Sequence, residues 1–256
     1  MQTSHEWIDY FHVNSVKQRV DWSIAPSIRQ EEKIKILQSM QAWQLGETSD
    51  GAHLLAAAKK YADHVGDTDY CEAVSLFIKE EQKHGNNLGR YLDLIGEKII
   101  NRNWGDTLFR RVRYFNTSME LWTIAVITVE STAQVFYQSL KAASSCRLLK
   151  QICTDILIDE AFHIDFQMQR LAIIFYGKTA VAKFISYQFY RFFYFTVALI
   201  VWFGHKKAFK AGGNGFEKYM KIMRLKFRKT LHKLKPASYS AYPRQKNESS
   251  TPFIQE

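Results

Sequence analysis

Two tetrapeptides share one pattern, Glu81-Gln82-Lys83-His84 and Glu160-Ala161-Phe162-His163, and each has a lone glutamate about one helical hairpin upstream, Glu47 and Glu130. A carboxylate and an imidazole three residues apart lie on one helix face, one turn apart, so both can reach the same ion. From Glu47 to Glu81 is 34 residues, and from Glu130 to Glu160 is 30. At ~1.5 Å rise per residue, two antiparallel helices joined by a short turn return to the same height after such an interval. Four carboxylates and two imidazoles meeting at one level of a four-helix bundle are the ligand set of a carboxylate-bridged pair of metal ions. The set suits two Fe ions, with Mn the alternative, better than zinc, and it leaves positions open for oxygen. One Glu-x-x-His alone is a weak signal, common on ordinary exposed helix faces. Two of them, both with partners at hairpin spacing, carry the argument.

The elements that position these residues must be long helices. The chain has 256 residues, 46% of them hydrophobic, with four prolines and twelve glycines to interrupt it, enough for a full core in one domain with extensions. Residues 1–26 form an N-terminal arm ending at Pro26, a residue suited to a helix start. Residues 27–177 form the bundle. Its first helix runs from Ser27 through Leu54 and Tyr61 and is interrupted by Gly46 and Gly51; alternatively 46–51 is a loop, Ser49 or Asp50 caps a helix beginning near Gly51, and Glu47 stands at a kink or first turn. The second helix is capped by Thr68 or Asp69 and runs to about Ile95, its inward stripe passing from Val74 and Phe77 through Glu81 and His84 to Leu88. Residues 96–105 cross over along the bundle. The third helix runs from Asp106 to about Ala143, the fourth from about Cys146 to Tyr176. Glu130 lies within the apolar run Ile124 to Val129, where an ionised carboxylate needs a cation or a proton.

Other polar residues fall beside the six. Asp159 precedes Glu160 and Glu80 precedes Glu81. Ligating histidines commonly donate their second ring N–H to a carboxylate, so Asp159 could serve His84 across the bundle and Glu80 could serve His163; the alternative, which the sequence favours for Glu80, is a solvated helix-face acid. Gln134 and Tyr137, one and two turns past Glu130, are candidate catalytic residues at the border of an oxygen or substrate pocket. His53 and His64 read as surface or packing histidines.

The run Glu80-Glu81-Gln82-Lys83-His84-Gly85-Asn86-Asn87-Leu88-Gly89-Arg90-Tyr91-Leu92 resembles the E-E-x-R/K-H-G-x-x-L-x-x-Y-L stretch of soluble acyl-carrier-protein desaturases. Asp159-Glu160-x-x-His163 resembles the D-E-x-x-H of that family and of other ferritin-like di-iron carboxylate proteins. The likeness covers about residues 47–170. It implies an all-α, ferritin-like four-helix bundle in which Glu81 and Glu160 bridge or cap the metals, His84 and His163 are terminal nitrogen ligands, and Glu130 and Glu47 complete the set. It also implies that reduced iron activates O2 to attack a C–H bond, oxidise an amine or scavenge peroxide. A threonine expected one turn past the third-helix glutamate is Ala133 here, so desaturation in particular does not follow. The expected function is a non-haem di-iron oxidoreductase acting on a hydrophobic or acyl substrate. The alternatives are a ferroxidase or rubrerythrin-like peroxide reductase, and a non-catalytic helical membrane-binding scaffold. An external electron donor, a reductase or ferredoxin, is expected because no nucleotide-binding glycine loop is visible.

Beyond the bundle, residues 178–210 hold an additional aromatic-rich helix, within which 184–203 carries Arg191 as its one charge. Its length would cross a hydrocarbon core, but Arg191 and the many Phe, Tyr and Trp residues suit an interface better. Residues 1–203 hold 22 Lys/Arg and 22 Asp/Glu, whereas 204–235 hold 11 Lys/Arg and the single acid Glu217. The whole net charge of +10 therefore concerns what residues 204–235 touch. Residues 184–235 suit an anionic membrane surface; alternatively the aromatic helix covers the bundle or forms a homodimer contact. Nucleic acid is not expected, since no recognition motif accompanies the charge. Residues 211–256 form a basic tail, disordered over 236–256. Three cysteines without C-x-x-C spacing, and no secretory pattern at the N-terminus, suggest the cytoplasm, peripheral to the inner face of the membrane.

Overall fold

The computed structural model describes residues 2–105, 107 and 118–234. Among them the chain forms eight helices: α1 (Ser4–Ser15), α2 (Gln30–Glu47), α3 (Ala52–Val65), α4 (Asp69–Leu94), α5 (Met119–Ala143), α6 (Arg147–Tyr176), α7 (Ala180–Ala211) and α8 (Phe216–Lys233). No strand occurs among the described residues. The architecture is the expected all-α bundle, built from α2, α4, α5 and α6, with α1 and α3 laid on α4 and with α7 and α8 closing the far side against α5.

The six candidate ligands lie between two apolar clusters. Along α4, Tyr70, Val74 and Phe77 belong to one cluster and Leu88, Tyr91 and Leu92 to the other, with Glu81 and His84 between them. Along α6, Ile152 and Ile156 precede Glu160 and His163, and Phe166 follows. Apolar side chains thereby flank the polar layer above and below. α5 is the most enclosed helix. The hydroxyls of Thr123, Thr128, Ser131 and Ser139 donate to carbonyls one turn back, so polar side chains pack between helices without unpaired donors.

The structure selects between the two readings of the first helix, corrects the start of the third, and orders part of the basic tail. The run from Ser27 to Tyr61 is two helices rather than one: α2 ends at Glu47, and α3 starts after Gly51, whose φ of 64° is left-handed, with Asp50 Oδ1 accepting from Ala52 N–H. Glu47 therefore stands in the last turn of α2. The third helix does not continue unbroken from Asp106, because Ser118 is extended (φ −91°, ψ 130°) and α5 starts after it; Asp106 itself lies outside the described residues. The basic segment is ordered into α8 through Lys233, while 235–256, expected to be largely disordered, lie outside the described residues.

The aromatic helix covers the bundle along one side. Tyr190, Tyr194, Val197, Val201 and Trp202 are buried. Tyr194 Oη donates to the Met223 carbonyl (3.2 Å), Tyr219 Oη to the Ala198 carbonyl (2.9 Å), and Asn214 Nδ2 to Ser139 Oγ (2.8 Å), which ties the α7–α8 hairpin to α5.

Gly85 is where α4 meets the end of α2. A Cβ there would lie 2.6 Å from Thr48 Cγ2 and 3.1 Å from both Glu47 Cβ and the Thr48 nitrogen. At Gly89, one turn on, the nearest atom would be Gln44 Nε2 at 3.6 Å, an ordinary contact. The two alanine variants should therefore move stability in opposite directions. Gly85→Ala should lower it by about 1–2 kcal/mol net, since overpacking outweighs the helix-propensity gain. Gly89→Ala should raise it by about 0.5–1 kcal/mol. Urea midpoints of the two variants check the prediction, and a shift of the same sign in both would refute it.

Candidate metal centre

The structure brings all six sequence-selected residues together, with α2 supplying Glu47, α4 Glu81 and His84, α5 Glu130, and α6 Glu160 and His163. Five are buried, and the Glu81 side chain is slightly exposed. They fall into two overlapping groups: one atom each from Glu81, Glu130, Glu160 and His163 lies within 4.8 Å of the others, and so do atoms of Glu47, Glu81 and His84. Glu81 belongs to both groups, as a carboxylate spanning two ions would. His84 Nδ1 is also 3.9 Å from Glu160 Oε1, and the two imidazole centroids are 5.6 Å apart.

Nitrogen orientation tests whether these residues fit metal. His84 Nε2 lies 3.1 Å from Asp159 Oδ2, and His163 Nε2 lies 2.8 Å from Glu80 Oε2. In the neutral rings these nitrogens donate, so Nδ1 of each presents a lone pair to the centre of the bundle. Among the described residues both Nδ1 atoms, both Glu160 oxygens and Glu81 Oε1 are buried without a hydrogen-bond partner. His163 Nδ1 and Glu81 Oε1 approach to 2.6 Å without hydrogen-bond geometry. Such a group of converging, unpaired donor atoms fits cations, and two divalent ions would balance four carboxylates in charge.

Electrostatics lead to the same conclusion. Burial, reinforced by Glu81, pushes the Glu47 carboxyl well above the usual carboxylate range. Burial, with Glu130 beside it, does the same to Glu160, and burial also raises Glu130. Burial alone would lower both histidines, but the Glu81 and Glu80 carboxylates raise His163 well above its ordinary value, and Asp159 and Glu81 raise His84. In the absence of metal the cluster therefore retains protons. The outer Asp159 behaves oppositely: burial opposes its ionisation, but His84, Asn14 and Lys83 together hold its carboxyl far below the usual range.

Sequence reasoning missed the residues that support these outer carboxylates. Asn14, buried at the end of α1, donates from Nδ2 to Asp159 Oδ1 (2.8 Å) and to Glu80 Oε1, joining the partners of the two histidines. Arg19 donates to Asn14 Oδ1, to Asp155 Oδ1 (2.6 Å) and to Asp159 Oδ1 (2.7 Å), and Lys83 reaches Asp159 Oδ2 at 3.0 Å. The arm over residues 1–26 thus holds the site's outer shell in place. Nothing in its sequence marks Asn14, since its partners are 66 and 145 residues away.

The two residues selected beside Glu130 have different surroundings. Tyr137 Oη donates to Glu47 Oε1 at 2.6 Å, next to the cluster. Gln134 Oε1 accepts from Lys226 Nζ of α8. A cavity of about 270 Å³ reaches Glu47, Glu81 and Glu130 and is walled by Trp43, Phe77, Trp122, Val126, Phe193 and His205.

No family model matches the chain, and no curated protein does. Solved structures do match. One is an R2-like ligand-binding oxidase variant with an anaerobically reconstituted Mn/Fe cofactor, 16% identical, with a TM-score of 0.66 over 91% of this chain and 93% of that one. Two further variants with aerobically reconstituted Mn/Fe cofactor are 16% and 17% identical, with TM-scores of 0.64 and 0.63, over 91% of this chain and 92% and 91% of theirs. The desaturase resemblance remains one of local motifs. The fold, over nearly the whole chain, is the ferritin-like helical bundle of the R2-like oxidases.

Proposed function

We propose that this protein is an O2-dependent oxidoreductase holding two metal ions, both iron or one iron and one manganese, on Glu47, Glu81, His84, Glu130, Glu160 and His163. The observation carrying this reading is the convergence of two imidazole Nδ1 lone pairs and the unpaired Glu81 and Glu160 oxygens in a buried layer. Mn/Fe cofactors in the solved structures of like fold agree with the choice of metals. Once reduced, such a centre supplies O2 activation. Asp159 and Glu80 orient the two histidines, and Tyr137 holds Glu47 by hydrogen bond. The apolar cavity beside three of the carboxylates suits a hydrophobic or acyl substrate. Electrons come from an external reductase or ferredoxin.

Anaerobic Fe(II) titration followed by oxygen tests the reading. Two metals per chain and an optical transient on oxygenation are expected, and Glu130→Ala should lose both. Accumulating ferric mineral would favour the ferroxidase alternative. Failure to retain iron or manganese after reconstitution would leave the scaffold. Asn14→Ala, which touches no ligand, should weaken Mn(II) binding by roughly tenfold, because it leaves both outer carboxylates short of a donor.

The same protons set a pH dependence. Glu47, Glu130 and Glu160 have raised values in the metal-free fold. Their contribution to stability is complete below the unfolded-state value of about 4.3 and is lost as pH rises through the folded values. The raised histidines act in the same sense from about 6.5 upward. Metal replaces these protons, so the rise in Tm produced by Mn(II) should grow from pH 6 to pH 8. A constant increment in differential scanning fluorimetry would count against the assignment.

We also propose that α7 rests on an anionic membrane surface. Val181, Phe184, Ile185, Phe189, Phe192 and Phe203 are exposed and share one side of the helix, at intervals of three, four and seven or more residues, over roughly 33 Å. Phe192 is 72% exposed and Phe184 63%. Exposed Arg191, Lys206 and Lys207 accompany this stripe, and exposed Lys218, Lys221, Arg224 and Arg228 lie on α8. Two copies meeting through this face would bring like charges together, whereas an anionic bilayer complements them. Binding to phosphatidylcholine vesicles containing 30% phosphatidylglycerol should weaken by roughly tenfold or more in the Phe184→Ser, Phe192→Ser double variant, and should fall with salt. Equal binding by the double variant would refute the surface. A dimer in sedimentation velocity that this variant dissociates would assign the stripe to a second copy.

A further inference from the structure

The strongest unexplained feature outside the candidate ligands is His205. It is the one residue within α7 whose backbone leaves helical geometry (φ −124°, ψ 16°), a kink in a 32-residue helix. The preceding Gly204 lets Trp104 approach closely; a Cβ there would lie 3.1 Å from Trp104 Cζ2. The imidazole lies 5.9 Å from the Trp43 ring and 5.8 Å from the Phe136 ring, centroid to centroid, and lines the same cavity as Glu47, Glu81 and Glu130. Its Nδ1 is shielded from solvent and has no hydrogen-bond partner among the described residues.

Packing does not require an imidazole at this position. A phenyl ring would fill similar space between Trp43 and Phe136 without burying an unpaired polar atom, which is costly. An unsatisfied ring nitrogen on an otherwise aromatic wall is the kind of group that fixes an apolar ligand's orientation. Burial lowers the His205 pKa to about 4, so the ring is uncharged at neutral pH and offers a donor and an acceptor but no charge.

We propose that His205 is the hydrogen-bonding anchor for an uncharged oxygen, a hydroxyl or an acyl carbonyl, on an otherwise apolar ligand held in this cavity. The inference rests on the proposed hydrophobic or acyl substrate and narrows its class to alcohols and to esters, amides or thioesters, in preference to free acids. Gripped at one end by His205, such a ligand extends along Trp43 and Trp122 with the carboxylate cluster beside it. His205 acts by positioning alone.

Calorimetric titration of the Mn(II)-loaded full chain at pH 7.5 with 1-decanol, methyl decanoate, decanoate and decane tests this anchor. Wild type should bind decanol or methyl decanoate more tightly than decanoate, and whichever of the two binds tighter identifies hydroxyl or carbonyl as the favoured group. His205→Phe should weaken both uncharged oxygenated ligands by about fivefold to tenfold and leave decane unchanged. His205→Asn, which restores a donor and an acceptor, should recover most of the loss and guards against a folding defect in the phenylalanine variant. Equal affinity of wild type and His205→Phe for both ligands would overturn the proposal, as would preferential binding of decanoate or no binding of any ligand. The oxidase reading stands or falls separately. His205-dependent binding without oxygen consumption by the reduced iron form would keep the anchor and remove the oxidase, and oxygen chemistry without His205-dependent binding would do the reverse.

Discussion

Four glutamate carboxylates, three of them buried, drawn into two groups that share Glu81 are the constraint on which the rest of this structure depends. Like charges so close, and removed from water, cannot all ionise without compensation. Either protons remain on them or cations enter, and the two histidines are oriented for the second case, with Nδ1 inward and Nε2 tied outward. Each ligand comes from a helix interior or a last turn, so the backbone around the layer is paired within its own helices and the side chains alone meet its charge.

The outer carboxylates carry that requirement to the surface. Asp159 and Glu80 are themselves buried acids; Asn14 donates to both, and Arg19 and Lys83 add their charges at Asp159, whose carboxyl is held far below the usual range. Charge therefore alternates from the inner carboxylates through imidazoles and outer carboxylates to the partly exposed Arg19 and Lys83. This alternation is why α1 must pack on α4, although α1 supplies none of the six candidate ligands. Without it, both carboxylates beneath the histidines would lose the Asn14 amide that joins them, and the orientation of both rings would loosen.

Much of the bundle was legible in the sequence because its signals are local. The Glu-x-x-His repeats, the Thr68–Asp69 start of α4 and the Cys146 start of α6 each depend on neighbours within one or two turns. The pairing of Asp159 with His84 and of Glu80 with His163 could be anticipated from the heights of four helices. The break after Glu47 was harder, because Gly46 and Gly51 both interrupt the pattern and only the left-handed φ of Gly51 selects the second as the boundary. Asn14 and His205 were illegible for another reason. Each acts through contacts with segments far away in the chain, and neither differs in type or spacing from an ordinary surface residue.

Helix α7 was ambiguous because it is apolar on nearly every side, and periodicity cannot assign such a helix to a core, a bilayer or an interface. The structure divides its circumference. Tyr190, Tyr194 and Trp202 seal the bundle, Phe193, Val201 and His205 line the cavity, and Phe184, Phe189 and Phe192 face outward. A helix serving only as a lid needs apolar residues on one face, and one crossing a bilayer would not bury its tyrosine hydroxyls against the Met223 carbonyl and Thr230 Oγ1. The outward phenylalanines bury little of their surface in the fold, and exposed aromatic surface favours association. Their position on the back of the helix that walls the cavity joins the two proposals physically: whatever holds this outer face also fixes the wall against which a ligand is held.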